Sequence, residues 1–370
     1  MIRVLNIISD TNIGGAGHAT LSYLKAMDRE NFEAAVVLPK NSLLAPKVKA
    51  LEIPIIEIDA MADKSFDRKA IKILKKIIDD YNPDIVHTHG SLSGRIAGKK
   101  AGKKVIFTRH SAFSFPSYVQ RTPFKLVYRY LYEHYSDRII AISPAGAKIL
   151  TDIGISSSIV ESMMNGCESL IKLPGDECSS LKSSLGIGEG DFVLGIIARI
   201  EDYKGHLDIL AAIKHIKDAG KQVKLIIAGT GSFEETVRQQ SKSLGIDGDV
   251  IFTGFIEDVT GIMSILDVQL NASYLSETSS LSILEGMSIA LPAIVTDCSG
   301  NPYVIDDGVS GMLFPPRDAE ALAERIMRLM DDKGLLQKLG AGAKQIYESR
   351  FTLDAYAKNI ENIYYKTLKS

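Results

Sequence analysis

Short β-branched runs alternate with amphipathic stretches along almost the whole of this 370-residue chain, and they do so in two successive series. No other feature constrains the fold as strongly, because such alternation implies parallel sheets joined by crossover helices. In the first series Val4–Ile8, Ala34–Leu38, Pro54–Ile58, Asp84–His87, Val105–Thr108 and Ile139–Ile142 read as strands. Helical patterns lie between them, such as Ala70–Tyr81, where Ile71, Leu74, Ile77, Ile78 and Tyr81 form one stripe. In the second series Phe192–Ile197, Lys224–Ala228, Val250–Phe252, Val268–Asn271, Pro292–Thr296 and Met312–Phe314 read as strands. Gly205–Ala219 and Ser279–Ala290 read as two of the connecting helices. A Gly/Pro/Ser-rich stretch, Asn165–Ser184, separates the series and reads as an interdomain linker. Ala319–Ser370 reads as three helices with no strand.

The expected fold class is therefore α/β, with two doubly wound, Rossmann-like domains (residues 1–165 and 166–351) facing each other across a cleft. A terminal helix, residues 352–370, is expected to pack back on the first domain. Such sheets bind ligands beyond the carboxyl ends of their strands, so chemistry is sought there.

Composition narrows the class. With 45% hydrophobic and 24% charged residues the chain is an ordinary globular protein, neither disordered nor fibrous. No apolar run approaches the ~20 residues that cross a bilayer. Ile2–Ile8, interrupted by Arg3 and Asn6, reads as a strand and not as a signal peptide. Cys167, Cys178 and Cys298 form no CxxC pair, which points to a reducing compartment, the cytoplasm. Residues 1–165 carry 23 Lys/Arg against 16 Asp/Glu, and the remainder 20 against 29. That asymmetry fits two domains with different partners, although helix faces can also differ so by chance. It is too weak, with 7% aromatic residues, to indicate nucleic acid as a partner.

Four clusters carry the residue types of a chemical site. Glu277 follows a strand end, and Glu285, eight residues on, lies in the next helix. Leu281, Leu284 and Met287 bury one side of that helix and leave its N-terminal N–H groups open to phosphate, with carboxylates placed to accept from sugar hydroxyls. The same spacing arises if Glu277 merely caps the helix and Glu285 lies on the surface. Arg199 follows a buried strand and Lys204 opens the next helix, where two cations can bind a diphosphate and meet the charge developing on it. Ordinary surface cations would look alike.

The third cluster is the first strand–helix turn, Asn12–His18, whose Gly14, Gly15 and Gly17 permit close backbone approach to a ligand before a helix starting near His18. It fails the GxGxxG fingerprint at Thr20, as Gly229–Glu234 fails it at Glu234, and no GxxxxGK[ST] loop exists. Last come the histidines that close two strands, His87 with His89 and His110 after Arg109. They are expected on the cleft side of the sheet. His87 and His89 lack carboxylates or cysteines at ligand spacing, so no metal site is expected, and His110 is the functional candidate.

In this order and spacing the clusters resemble the retaining nucleotide-sugar glycosyltransferases of glycosyltransferase family 4, with the GT-B fold. The resemblance runs through Gly14-Gly15, Pro83–His87, Ala141–Ser143, Asn165-Gly166, Arg199 with Lys204-Gly205, Gly229-x-Gly231, Gly254-Phe255, the Glu277/Glu285 pair and Gly300–Pro302. It implies that Arg199 and Lys204 bind the donor diphosphate, Glu285 the ribose hydroxyls, and Glu277 the transferred sugar. It places His110 on that sugar, Gly15 near the phosphate and reacting centre, and Phe255 and Ile256 beside the base. Gly229, Leu281 and Ser282 complete the expected donor-binding set. The chain departs from the family at Thr278-Ser279-Ser280, where Gly-Phe-Gly is common, and at Tyr303, where Glu is common.

The resulting expectation is a metal-independent, retaining hexosyltransferase. It needs no cofactor beyond its donor, a UDP-sugar, and uses a sugar or lipid-linked acceptor in cell-surface polysaccharide or glycolipid synthesis. A nucleotide-sugar epimerase, a sugar phosphorylase or a non-catalytic sugar- or nucleotide-binding protein are the alternatives. Front-half cations add an expected partner, an anionic membrane surface at the inner face of the cell membrane. These are Lys69, Lys72, Lys75, Lys76, Lys99, Lys100, Lys103 and Lys104, with Arg121, Lys125 and Arg129 spaced along one helix that also carries Phe124, Val127 and Tyr128. The first four equally fit the wet face of a packed helix, near Asp79 and Asp80.

Overall fold

The computed structural model describes residues 1–370 and divides into two compact units, Met1–Cys167 with Leu353–Ser370, and Glu168–Thr352. The first unit begins with β1 (Ile2–Ile8), α1 (Gly15–Ala26), β2 (Phe32–Pro39), α2 (Ala45–Ala50), β3 (Ile55–Ile58) and α3 (Arg68–Tyr81). It continues through β4 (Ile85–His89), α4 (Leu92–Lys100), β5 (Lys104–Arg109), α5 (Phe124–His134), β6 (Arg138–Ala141), α6 (Pro144–Asp152) and β7 (Val160–Ser162). All seven strands are parallel, in the order β3-β2-β1-β4-β5-β6-β7. The order reverses at β1, the switch point of a doubly wound sheet.

Alternation along β1 sends Val4 and Ile8 to one face and Leu5 and Ile7 to the other, and both faces are covered. Asp67 caps α3 by accepting from the N–H groups of Lys69 and Ala70, and Asn82, left-handed at φ 51°, ends it. Ser91 caps α4 and Ser143 caps α6 in the same way.

The second unit contains α7 (Gly175–Ser184), β8 (Phe192–Ile197), α8 (His206–Asp218), β9 (Val223–Ala228), α9 (Glu234–Ser243), β10 (Val250–Gly254), α10 (Thr260–Ile265) and β11 (Val268–Asn271). After these come α11 (Leu281–Ser288), β12 (Ala293–Thr296), β13 (Gly311–Phe314), α12 (Ala319–Asp331) and α13 (Lys333–Arg350). Its sheet is again wholly parallel, β10-β9-β8-β11-β12-β13, with the switch between β8 and β11. The closing helix α14 (Leu353–Lys369) belongs to the first unit, where Tyr356, Ile360 and Tyr364 join Tyr23, Leu24 and Phe32 in one core.

Three sequence expectations are corrected. Gly175–Ser184, read as part of a linker, is helix α7, because Pro174 at its N-cap and Gly175 in its first turn are tolerated where no intrahelical N–H bond is lost. The three-residue edge strand β7 carries too little pattern to be seen in the sequence. Helix α1 starts at Gly15 and not near His18.

Candidate functional site

In the second unit every predicted donor-site residue lies at the carboxyl edge of the sheet. Arg199 follows β8, Gly229 follows β9, Phe255 and Ile256 follow β10, Glu277 follows β11, and Leu281, Ser282 and Glu285 lie on α11. Two glycines let these loops close up. Gly229, at φ +142°, lies where a Cβ would collide with the carbonyl oxygen of Ala198, just before Arg199. Gly205, at φ +72°, packs on Ala272 at the end of β11 and brings Lys204 across to that strand.

That approach decides the chemistry of Glu277. Its Oε2 accepts from Lys204 Nζ at 2.7 Å, Ser273 Oγ at 3.0 Å and Asn271 Nδ2 at 3.1 Å. Oε1 accepts only from the adjacent Thr278 N–H, at 3.3 Å. Burial by itself would raise the carboxyl pKa, but Lys204 and the two further donors hold it below the ordinary glutamate value. Glu277 is thus a fixed, ionised carboxylate with one oxygen saturated and the other able to accept from hydroxyl groups. Capping of the following helix is excluded, since the α11 N-cap is Ser280.

Glu285 is different. It is half-buried on α11, and its carboxylate accepts no hydrogen bond. Burial, reinforced by repulsion from Asp258, pushes its pKa up to about 7. A carboxylate so destabilised has much to gain from donors such as paired hydroxyls. Ser282 ties the start of α11 to β8 through a 3.0 Å bond from its hydroxyl to the Ile197 carbonyl. No side chain caps α11, and Leu281 in its first turn is partly exposed.

Arg199 is exposed and steered only by the Tyr203 hydroxyl, 3.0 Å from its Nη2. Lys204 is far less exposed than a surface lysine, with 16% of its side chain open beside Glu277. Phe255 is 75% exposed, an apolar ring left free at a strand end. Thr278, Ser279 and Ser280 all keep negative φ, so serine in place of glycine introduces no backbone strain here. Tyr303 ends a short 3₁₀ turn, Asn301–Tyr303, and is exposed.

In the first unit Gly15 is exposed at the start of α1, after β1, and His110 follows β5. His87 serves the core, with Nδ1 2.7 Å from Tyr364 Oη and Nε2 2.7 Å from Thr108 Oγ1. Burial pushes its pKa down to about 3, with repulsion from His110 adding to the effect. His110 Nε2 lies 2.9 Å from His89 Nδ1, and His89 Nε2 lies 3.5 Å from Asn6 Oδ1. Burial lowers the His110 pKa to about 4, so the ring is neutral at pH 7. With His89 donating to Asn6, His110 Nε2 must donate to His89, which leaves its buried, unpartnered Nδ1 as an acceptor.

Asn271 and Ser273 thus hold Glu277, and His89 holds His110, and the sequence reading assigned none of the three to the candidate site. The only signal for the first two was a pair of short polar side chains at the end of a buried strand, Asn271-Ala272-Ser273.

Comparison with known proteins identifies the family and the fold. Residues 13–168 match the family described as Glycosyltransferase Family 4, and residues 179–346 match Glycosyl transferases group 1. EpsD of Bacillus subtilis is 32% identical over 279 residues, 72% of each chain. The UDP-Gal:alpha-D-GlcNAc-diphosphoundecaprenol alpha-1,3-galactosyltransferase of Escherichia coli is 24% identical over 349 residues, covering 90% of this chain and 89% of that one. Among solved structures, Anabaena Alr3699/HepE in complex with UDP superposes with a TM-score of 0.86 at 20% identity, covering 99% of this chain and 100% of that one. Such a likeness confirms the GT-B class of fold. The family regions and the relative that is 32% identical together show that the chain belongs to glycosyltransferase family 4 and is a glycosyltransferase.

Proposed function

We propose that this glycosyltransferase moves a hexose from a UDP-sugar to a hydroxyl of a sugar or lipid-linked acceptor, with retention at the anomeric carbon, in building a cell-surface polysaccharide or glycolipid. The observation that carries the reading is the Lys204–Glu277 pair beside Arg199. Cations for a departing diphosphate and an ionised acceptor for sugar hydroxyls stand together at the β8/β11 switch point. Arg199 and Lys204 take up the charge that builds on the leaving phosphate, so the reaction runs without a divalent metal. Glu277 Oε1 and His110 Nδ1 orient the sugar, Glu285 accepts from the ribose, and Phe255 with Ile256 flanks the base. Gly229, Leu281 and Ser282 line the donor with backbone groups, and Gly15 does so near the phosphate. With no protein nucleophile assigned, the acceptor attacks the face the diphosphate leaves, and the leaving oxygen takes the acceptor proton.

Support for the donor comes from the neighbours. HepE was solved with UDP and with UDP-glucose, and the E. coli relative is named for UDP-Gal and a diphosphoundecaprenol-linked acceptor. The alpha-monoglucosyldiacylglycerol synthase of Streptococcus pneumoniae, 26% identical over 336 residues, is named for a lipid. No helix here is long and apolar enough to cross a membrane. Helix α5 instead exposes Phe124, Leu126, Val127 and Tyr130, and in this reading meets an anionic surface on the cytoplasmic side.

The test is incubation with a panel of radiolabelled nucleotide sugars, with and without EDTA. Slow release of free sugar from a UDP-sugar, unchanged by EDTA, is expected. Release from a GDP- or ADP-sugar alone would overturn the donor assignment, and loss of activity in EDTA restored by Mg²⁺ would overturn the cationic clamp.

A further inference from the structure

Between Ile85 and Tyr132 the chain carries nine Lys and Arg residues and not one Asp or Glu. Two of those arginines are drawn into the first unit. Arg95, on α4, is 4% exposed, and its Nε and Nη1 have no hydrogen-bond partner. Its guanidinium lies 4.4 Å from the ring centroid of Phe107 and 5.0 Å from that of Tyr132. Arg109, at the end of β5, stacks 4.8 Å from Phe115, and its Nη1 is likewise buried and unpartnered, although Nη2 donates to the Phe113 carbonyl. The rings form one cluster, with Phe107–Tyr132 and Phe115–Tyr132 centroids 5.7 and 5.8 Å apart. Tyr132 is the one titratable side chain acting on either guanidinium, and no carboxylate does so.

Sequestered cations elsewhere in the chain are compensated: Lys204 by Glu277, Lys99 by Asp137, and Arg138 by Glu161. Stacking on rings returns only part of the solvation that a buried guanidinium loses, and a buried charge without a counter-charge is strongly unfavourable. Arg95 is the buried charge, and half-buried Arg109 adds a second to the same aromatic cluster, so the pair calls for an anion that the groups around them do not supply. The cover is also lightly held. Tyr128 and Tyr132 come from α5, a helix with no fully buried residue.

We propose that Arg95 and Arg109 form a binding site for a phosphate or diphosphate group, and that on the reading above this group belongs to the glycosyl acceptor. Guanidinium forks suit such an anion because each offers two parallel donors to its oxygens. The site lies wholly within the first unit, whereas Arg199 and Lys204 belong to the second.

The experiment uses the full chain saturated with UDP, so that the donor cations are occupied and UDP binding itself reports separately on the donor assignment. Inorganic pyrophosphate and geranyl diphosphate are then titrated by calorimetry against wild type, Arg95→Met and Arg109→Met. Saturable binding of pyrophosphate to wild type is expected, weakened about tenfold or more in each variant. Tighter binding of geranyl diphosphate would assign the phosphate to a lipid-linked acceptor, and equal binding to a soluble one. Thermal unfolding without ligand gives an independent readout: Arg95→Met should unfold no lower than wild type, because an uncompensated charge has gone. No saturable binding to wild type, or equal affinity in all three proteins, overturns the site. A marked fall in melting temperature for Arg95→Met without ligand would make the arginine a structural filler and overturn it as well. Arg95→Lys, which keeps the charge and the length of the side chain but loses the fork, should weaken pyrophosphate as Arg109→Met does, and unchanged affinity in it would count against the site.

Discussion

Arg199 and Lys204 have the same assigned partner but different surroundings, and their variants should differ accordingly. Each bond to a leaving diphosphate is worth roughly 2–4 kcal/mol in the transition state, so Arg199→Ala and Lys204→Ala should each lower turnover about 10²–10³-fold. Arg199 is exposed, and its loss should leave the melting temperature almost unchanged. Lys204 neutralises a buried carboxylate, so Lys204→Ala should also cost about 3 kcal/mol of stability, read by denaturant unfolding. Near-normal turnover in both variants would remove the leaving-group role. Glu277→Gln should depress transfer with UDP affinity nearly unchanged, whereas Glu285→Gln should weaken UDP by ~1–2 kcal/mol. With a free-protein pKa of about 7, Glu285 must ionise to accept well from ribose hydroxyls. UDP affinity should therefore rise with pH up to about 7 and then level, with proton release detectable as a buffer-dependent heat. A wild-type pH profile shared by Glu285→Gln would exclude that group.

At the scale of elements, α5 and α3 separate two kinds of basic helix. The lysines of α3 are the wet side of a packed amphipathic helix, with Ala70, Leu74 and Ile78 buried beneath and Lys75 paired to Asp79. Helix α5 buries none of its residues fully. Six of the fifteen large apolar side chains exposed on the whole chain fall between Phe113 and Tyr130. The predicted Arg121–Lys125–Arg129 stripe is not one helix face, because α5 begins at Phe124 and Arg121 precedes it. Lys125 bonds the Asp152 carbonyl and Arg129 pairs with Glu133, so apolar contact must carry more of any membrane affinity than charge. Flotation with anionic vesicles at low salt should recover the wild type. Leu126→Ser with Val127→Ser should weaken vesicle binding about thirtyfold or more, at ~1 kcal/mol or more for each side chain. No flotation of the wild type would end the membrane reading and favour a soluble acceptor.

For the whole molecule, α14 makes the first unit discontinuous in sequence. Tyr356, Ile360, Ile363 and Tyr364 are buried in its core, and the Tyr364 hydroxyl satisfies His87. Burial of such side chains contributes about 2 kcal/mol each, a sum comparable with the entire stability of an ordinary domain. Removing residues 353–370 should therefore open residues 1–167 to proteolysis. A truncated chain as resistant as the full one would show that α14 is dispensable.

Periodicity alone determined the two parallel sheets, because burial on both faces demands runs such as Val4–Ile8 and Phe192–Ile197 whatever the rest of the chain does. The order of motifs likewise determined the family. Local signals failed where they were short or double-valued, as at β7, or at Pro174-Gly175, whose residues serve a loop and a helix start alike. The Arg121–Lys125–Arg129 spacing reads straight through Thr122-Pro123, although the residue before proline avoids the helical region and α5 begins only at Phe124. The state of the site was a tertiary matter. Lys204 and Glu277 stand 73 residues apart and meet only because β8 and β11 are neighbours in the sheet, joined across the switch point. The ionisation of Glu277, the raised pKa of Glu285 and the burial of Arg95 all depend on what surrounds each group in space. Charge in a low-dielectric interior is set by such neighbours, and spacing along the chain does not carry that information.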